Sequence, residues 1–271
     1  MPRLGSSSEA NPSQPAAQSS NMSEHQIYVG TAAWAIPKQY QDAFPSEGSH
    51  LVRYASRFDG VEINSSFYRP HRLSTYQRWA DDVPENFRFA VKMPKTITHE
   101  GRLRDVDEPL QRFLGEIAGL GPKLGPVLIQ LPPSLKFDPA VVRPFIERLR
   151  ASFDGDVVCE PRHASWFTAD VDAFLLEQQI ARVAADPKPH PSAGTPAGWT
   201  GLVYYRLHGS PKMYYSAYSQ EVIAETTETL DAHAQAGRAA WCIFDNTAAF
   251  AATGDALSTM KLLQSHALNE G

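Results

Sequence analysis

Only two cysteines occur among the 271 residues, and no CxxC spacing is present. Cys159 and Cys242 both lie in apolar runs, which reads as reduced core thiols in a cytoplasmic protein rather than a disulfide framework or a zinc site. Long apolar runs are missing too. None approaches the roughly 20 residues of a membrane helix, and no charged-then-apolar leader opens the chain, so no membrane partner is expected. An excess of positive charge is also lacking: the net charge of -5 counts against a nucleic-acid partner. There is no GxGxxG, no P-loop and no nucleophile elbow, and "GTAAW" (30–34) and "HGSPK" (208–212) are too short for phosphate loops. HxH and HExxH are absent, so there is no local metal-ligand motif. Apolar content is not lacking; at 42% hydrophobic residues the chain has ample material for a core.

Residues 1–24 are mostly Ser, Pro, Ala, Asn and Gln and read as a disordered tail, with either Met1 or Met22 as the start. From residue 25 to 271 short β-rich runs alternate with helical periodicity. The runs are 27–31, 60–65, 87–93, 125–131, 156–161, 180–186, 202–209 and 240–246, with amphipathic stretches between them. Eight strand–helix pairs without hairpin signals predict parallel βαβ units closing into an α/β (β/α)8 TIM barrel of one domain. The sixth unit departs: Pro- and Gly-rich residues 187–201 stand where a helix belongs and predict an irregular loop. A doubly wound open sheet is the alternative, disfavoured because no dinucleotide fingerprint follows the first strand.

In such a barrel the C-terminal strand ends form the active-site rim, and seven of the eight runs finish in a polar or ionisable group. Period-two alternation places Glu62 with Asn64, Glu160 with Arg162, and Arg206 with His208, each pair on one face. Lys92, Gln130, Asp186, Asp245 and Asn246 stand at the other ends. Trp34 is expected to reach over the mouth. Tyr214 and Tyr218, in the loop after the seventh run, are expected to act as lid aromatics, whereas Phe67 and Trp166 are expected to cover the core.

The runs "GTAAW" (30–34), "VEINSSFYRP" (61–70), "FAVKMPKTITH" (89–99), "GPVLIQLPPS" (125–134), "EPRHASW" (160–166), "YYRLHG" (204–209) and "FDNT" (244–247) resemble, in order, the signatures of the YecE-like family, domain of unknown function 72. The resemblance implies a TIM barrel with a polar pocket at its mouth and brings no reaction with it. "GTAAW" departs from the family's more usual Gly-Thr-Ser-Gly-Trp and lacks that hydroxyl.

Glu62 and Glu160, facing one pocket, suit acid–base catalysis, with His208 as the third catalytic candidate. Asn64, Lys92, Gln130, Arg162, Arg206, Asp245, Asn246, Trp34, Tyr214 and Tyr218 are the candidate substrate-binding residues, for a small anionic or carbonyl-containing ligand. Asp186, Asp245 and Asn246 would orient the others. The competing reading pairs each carboxylate with a cation as plain structure. No metal or other cofactor is expected; the oligomeric state is left open. Two alternatives stand beside this hydrolase- or lyase-like enzyme. One is a metal-dependent phosphodiesterase or isomerase, similar to the endonuclease IV and xylose isomerase barrels, with Glu62, Glu160, Asp186, His208 and Asp245 as ligands. The other is a binding barrel without turnover. A change at Glu160 or Arg206 is expected to spare the fold and abolish ligand binding.

Overall fold

Polar side chains start four of the helices. The Ser49, Asp138, Thr168 and Ser219 oxygens accept the backbone N–H groups of Val52, Ala140, Val171 and Val222, satisfying donors that a helix leaves open at its first turn. Pro139 adds a preset φ just inside its helix. The computed structural model describes residues 27–269; the expected tail, 1–24, lies outside the described residues. Its strands are β1 (Ile27–Thr31), β2 (Gly60–Ile63), β3 (Arg88–Lys92), β4 (Leu124–Gln130), β5 (Val157–Glu160), β6 (Ile180–Arg182), β7 (Ala184–Asp186), β8 (Ala197–Gly198), β9 (Leu202–Leu207) and β10 (Ala239–Phe244). Its α-helices are α1 (His50–Ala55), α2 (Ser65–Tyr68), α3 (Leu73–Asp81), α4 (Asp107–Ile117), α5 (Pro139–Ser152), α6 (Ala169–Glu177), α7 (Gln220–Gln235) and α8 (Ala251–Asn269). No described helix is long and apolar enough to cross a membrane.

These elements make one mixed α/β unit, but its ladders do not draw the single closed ring expected. Two sheets form, in the orders β1-β10-β9-β7 and β2-β3-β4-β5-β6-β8. The expected sixth strand is divided: β6 pairs with β5, β7 pairs with β9, and Val183 between them donates its N–H to the Cys159 carbonyl. The loop expected at 187–201 contains β8, which runs antiparallel to β6; a two-residue strand carries too little periodicity to be read in sequence. The other paired strands are parallel.

The two sheets also approach each other at β1 and β2, where pairing is reduced to one bridge between Ala32 and Glu62. The Tyr54 hydroxyl fills the gap, accepting from the Thr31 N–H at 2.8 Å and donating to the Gly60 carbonyl at 3.3 Å. The chains come so close that a Cβ on Gly30 would stand 2.0 Å from the Gly60 oxygen, so only glycine fits there.

Alternation sorts the strand residues into two cores. Val61, Ile63, Phe89, Val91, Ile129 and Cys159 pack in the larger core with residues of the helices. The opposite face holds a smaller cluster with Tyr28, Ala90, Leu128, Val158, Tyr204, Trp241 and Ile243. Along that second face four strands start apolar and end polar: Ala90 is followed by Lys92, Leu128 by Gln130, Val158 by Glu160, and Tyr204 by Arg206. Trp241 forms the floor, stacked between Tyr28 at 4.5 Å and Tyr204 at 5.8 Å between ring centroids.

Candidate functional site

The polar strand ends converge on one arginine. Arg206 on β9 is fully buried and grips Glu62 with two donors, Nε to Oε2 at 3.0 Å and Nη2 to Oε1 at 2.7 Å. Its Nη1 donates to Glu160 Oε2 at 2.5 Å and its Nη2 also to Asp245 Oδ2 at 2.9 Å. The Tyr204 hydroxyl, rising from the aromatic floor, donates to Glu62 Oε2 at 2.9 Å. Arg162, just past β5, donates from Nε and Nη2 to Glu160 Oε1 at 3.1 and 3.0 Å. The residues expected to be the acid and base are therefore both held by guanidinium groups, in the structural pairing that competed with the catalytic reading.

His208 completes the cluster, with Nδ1 3.2 Å from Asp245 Oδ2 and Nε2 3.3 Å from Glu160 Oε1. A neutral imidazole has one N–H and can satisfy only one of these carboxylates; the cation satisfies both. Burial opposes that charge and Arg206 repels it, but Glu160 and the hydrogen bonds outweigh them and raise the pKa above 6.5. Burial would likewise raise the Glu160 carboxyl, yet Arg206, His208 and Arg162 hold it well below the usual carboxylate range. Asp245 is lowered against burial by Arg206, His208 and Lys92. Because the imidazole pKa is raised in the fold, His208 stabilises the protein fully below pH 6.5 and loses that contribution as pH rises through the folded value. The expected result is a His208 ring resonance that titrates above 6.5 by NMR; titration below that value would mean the imidazole is neutral.

Lys92 is the exception among these cations. It keeps 9% of its surface and makes no ion pair among the described residues. Its Nζ lies 4.3 Å from the centre of the Phe67 ring. The Ser66 hydroxyl, bonded to the Lys92 and Ile63 carbonyls at 2.7 and 2.9 Å, ties α2 to β3 and brings Phe67 there. Burial and Arg206 lower the amine to about 8, against the opposing pull of Glu62, Glu160 and Asp245. His99 stands edge-on to Phe67 at 4.9 Å, with its pKa lowered by burial, Lys92 and Arg162. It lies in a π-helical turn, Thr96–Glu100, directly after β3; such turns recur at functional sites.

The expected residues therefore separate. Glu62, Glu160, Arg162, Arg206, His208 and Asp245 meet in one bonded cluster. Gln130 is buried at the end of β4, paired in register with Glu160. Tyr214 roofs the cluster, its ring 5.7 Å from His208 and its hydroxyl against Arg162. Asn64 has left β2 and precedes α2, with its Oδ1 buried and unpartnered.

Three of the substrate-binding expectations are corrected. Tyr218 is no lid: it is packed in the larger core, accepts from the Gly209 N–H at 2.8 Å and donates to Asp186 Oδ2 at 2.8 Å. That contact also takes Asp186 to Tyr218. Asn246 is fully buried and donates to the Ser216 carbonyl and to Asp255 Oδ2, anchoring the loop after β9 to α8. Trp34 packs edge-on against Trp79 of α3, 5.0 Å between centroids, instead of reaching over the strand ends. Each is held by an apolar or hydrogen-bonding partner outside the cluster. Trp166 is buried, as expected, with its ring N–H on the Leu135 carbonyl, whereas Phe67 faces Lys92. His163 caps a short turn, accepting from the Ser165 N–H. Neither Phe67 nor His99 was among the expected site residues, although "ITH" after a strand end was a visible signal.

The ligand set expected for a metal enzyme does not fit a cation here. Arg206 already occupies the space between Glu62, Glu160 and Asp245, and among the described residues no three His, Cys, Asp or Glu side chains form a metal-holding group.

The family described as Protein of unknown function DUF72 matches residues 28–270. The chain is similar to the UPF0759 protein YecE of Escherichia coli K12, 30% identical over 170 residues, covering 60% of each chain. It is also similar to YunF of Bacillus subtilis, 28% identical over 185 residues, covering 65% of this chain and 64% of that one. The matched part thus spans less than two thirds of these relatives' length. Among solved structures, a DUF72 family protein of Enterococcus faecalis superposes with a TM-score of 0.74 at 24% identity, covering 88% of this chain and 96% of the other. One from Thermotoga maritima gives 0.72 at 24% identity, covering 89% and 100%. These two share the fold.

Proposed function

The chain belongs to the DUF72 family, and from that premise we propose that it is an enzyme acting without a metal on a small anionic or carbonyl-containing substrate at the C-terminal strand ends. The same proposal takes the two sheets as one (β/α)8 barrel, with seams at β1–β2 and at Val183. The observation that carries it is the charge balance of the cluster. With His208 protonated, four cations, Lys92, Arg162, Arg206 and His208, face three carboxylates, Glu62, Glu160 and Asp245. One positive charge is left over, in a place where water is scarce and a carboxylate or phosphate would be welcome.

Division of labour follows from the pairing. Glu160 is held in its charged form and is a base or an orienting group rather than an acid. His208 is the proton donor of the cluster. Arg162, whose side chain is 19% exposed, and Lys92 receive the anion. Gln130 and Asn64 offer amides to the rest of the ligand, and Tyr214 covers it.

The test is thermal unfolding in the presence of small phosphates and carboxylates. A ligand at about a hundred times its Kd adds about 2.7 kcal/mol, or roughly 5–10 °C for a domain of this size. Anionic compounds should produce such a shift, Arg162→Ala should lose most of it, and neutral sugars should give none. Shifts from neutral compounds alone would sink the anionic reading. A binding barrel without turnover would show the same shifts and leave the bound compound chemically unchanged.

A further inference from the structure

Three other lysines in the protein are occupied. Lys123 is as buried as Lys92, but its ammonium donates to the Val83 and Pro84 carbonyls at 2.7 and 2.6 Å. Lys95 pairs with Glu100 at 2.9 Å, and Lys212 lies over the exposed Tyr215 ring. Lys92 differs from all three. Its backbone is fixed in β3 and clamped by Ser66. Its amine meets an aromatic face and no carboxylate partner, because Arg206 and Arg162 already hold the carboxylates nearby. An amine kept dry and set beside another cation is the arrangement that makes lysine a nucleophile at neutral pH.

We infer that Lys92 is a covalent amine site, which forms an imine with the carbonyl carbon of a small anionic aldehyde or keto acid. This rests on the anion-binding reading above and adds a substrate class to it. The lone pair of the neutral amine forms the C–N bond while the carbonyl π pair moves to oxygen. A proton passes from nitrogen to that oxygen, giving the carbinolamine. The C–O bond then breaks, the hydroxyl leaves as water with a proton from solvent, and a protonated imine remains. No oxidant or reductant is consumed. Arg162 is placed for the anionic group of the same molecule, and the protonated imine would lie among Glu62, Glu160 and Asp245, which favour its charge.

Burial and Arg206 bring the amine to about 8, where an ordinary lysine is at 10.5. At pH 7 that leaves on the order of a hundred-fold more neutral amine than on an exposed lysine. The charged and titratable groups acting on this amine are Arg206, Glu62, Glu160 and Asp245; it acts in turn on His99, as does Arg162.

The experiment is borohydride trapping on the full chain with pyruvate as the anionic probe and acetone as the neutral one, read by peptide mass mapping. Hydride reduces the imine to a stable secondary amine, so the Lys92 peptide should gain the mass of pyruvate less one oxygen. Labelling at Lys92 should exceed that at an ordinary exposed lysine on the order of a hundred-fold at pH 7, be half-maximal around pH 8 and level off above it. Lys92→Arg, which keeps the charge, should abolish that label without altering labelling elsewhere. Equal labelling of the exposed lysines, or none at Lys92, overturns the inference. If phosphates or carboxylates stabilise the protein but Lys92 traps nothing, the imine fails and the anion pocket stands. If acetone labels Lys92 as readily as pyruvate, the imine stands and the anion pocket fails.

Discussion

Replacing Arg206 by methionine should cost about 3–5 kcal/mol of stability at neutral pH, the usual penalty for leaving buried charges without their partner, which is roughly 10 °C or more in Tm. Three carboxylates would then face one another in a space that excludes water. Arg206→Lys should rescue little, since a point-charge ammonium cannot reproduce the two-donor grip on Glu62 together with bonds to Glu160 and Asp245. The burial of this residue therefore reverses the expectation that a change at Arg206 would spare the fold. The pH dependence is the discriminating readout. In the native protein Glu160 and Asp245 are depressed, so their contribution is present above the unfolded values and lost as pH falls through the folded ones. In the variant those carboxyls would be raised by burial and mutual repulsion, so stability would be gained on acidification. Denaturant unfolding curves of the two proteins should converge between pH 7 and about pH 4. A deficit that stays constant with pH, or stays under about 1 kcal/mol, would mean that Arg206 does not hold the carboxylates together.

Truncating the floor should be nearly as damaging. Trp241→Ala is expected to cost about 3–5 kcal/mol, because the indole is 2% exposed, stacked between Tyr28 and Tyr204. Neighbouring strands are shaped around it: a Cβ on Gly125 would come 2.8 Å from the indole Cζ2. The functional consequence is transmitted by Tyr204, whose ring leans on Trp241 and whose hydroxyl donates to Glu62. Loss of the indole should therefore weaken anion-induced thermal stabilisation as well as the fold, although Trp241 bonds none of the charged residues. Trp241→Phe should recover part of both. A variant that loses stability while keeping the full ligand-induced shift would show that the floor does not position the site.

Much of this architecture was legible one strand at a time. The sequence by itself determined where most strands and helices lie, because period-two and period-3.6 patterning are local and survive any arrangement of neighbours. It also determined that one strand face changes from apolar to polar towards its C-terminal end, as in Val158 to Glu160 and Tyr204 to Arg206. What it could not contain was the pairing. Glu62 and Glu160 look like two free carboxylates until the fold brings Arg206, 144 and 46 residues away, between them. Lys92, one more cation by composition, becomes distinctive only because that arginine and Arg162 leave it without a carboxylate. Tyr218, Asn246 and Trp34 were drawn elsewhere by Asp186, Asp255 and Trp79, contacts that no local pattern encodes. Side-chain direction along a strand is a local property of the backbone, whereas which charge meets which depends on strand register and on the spacing across the sheets. Only the tertiary structure decides that.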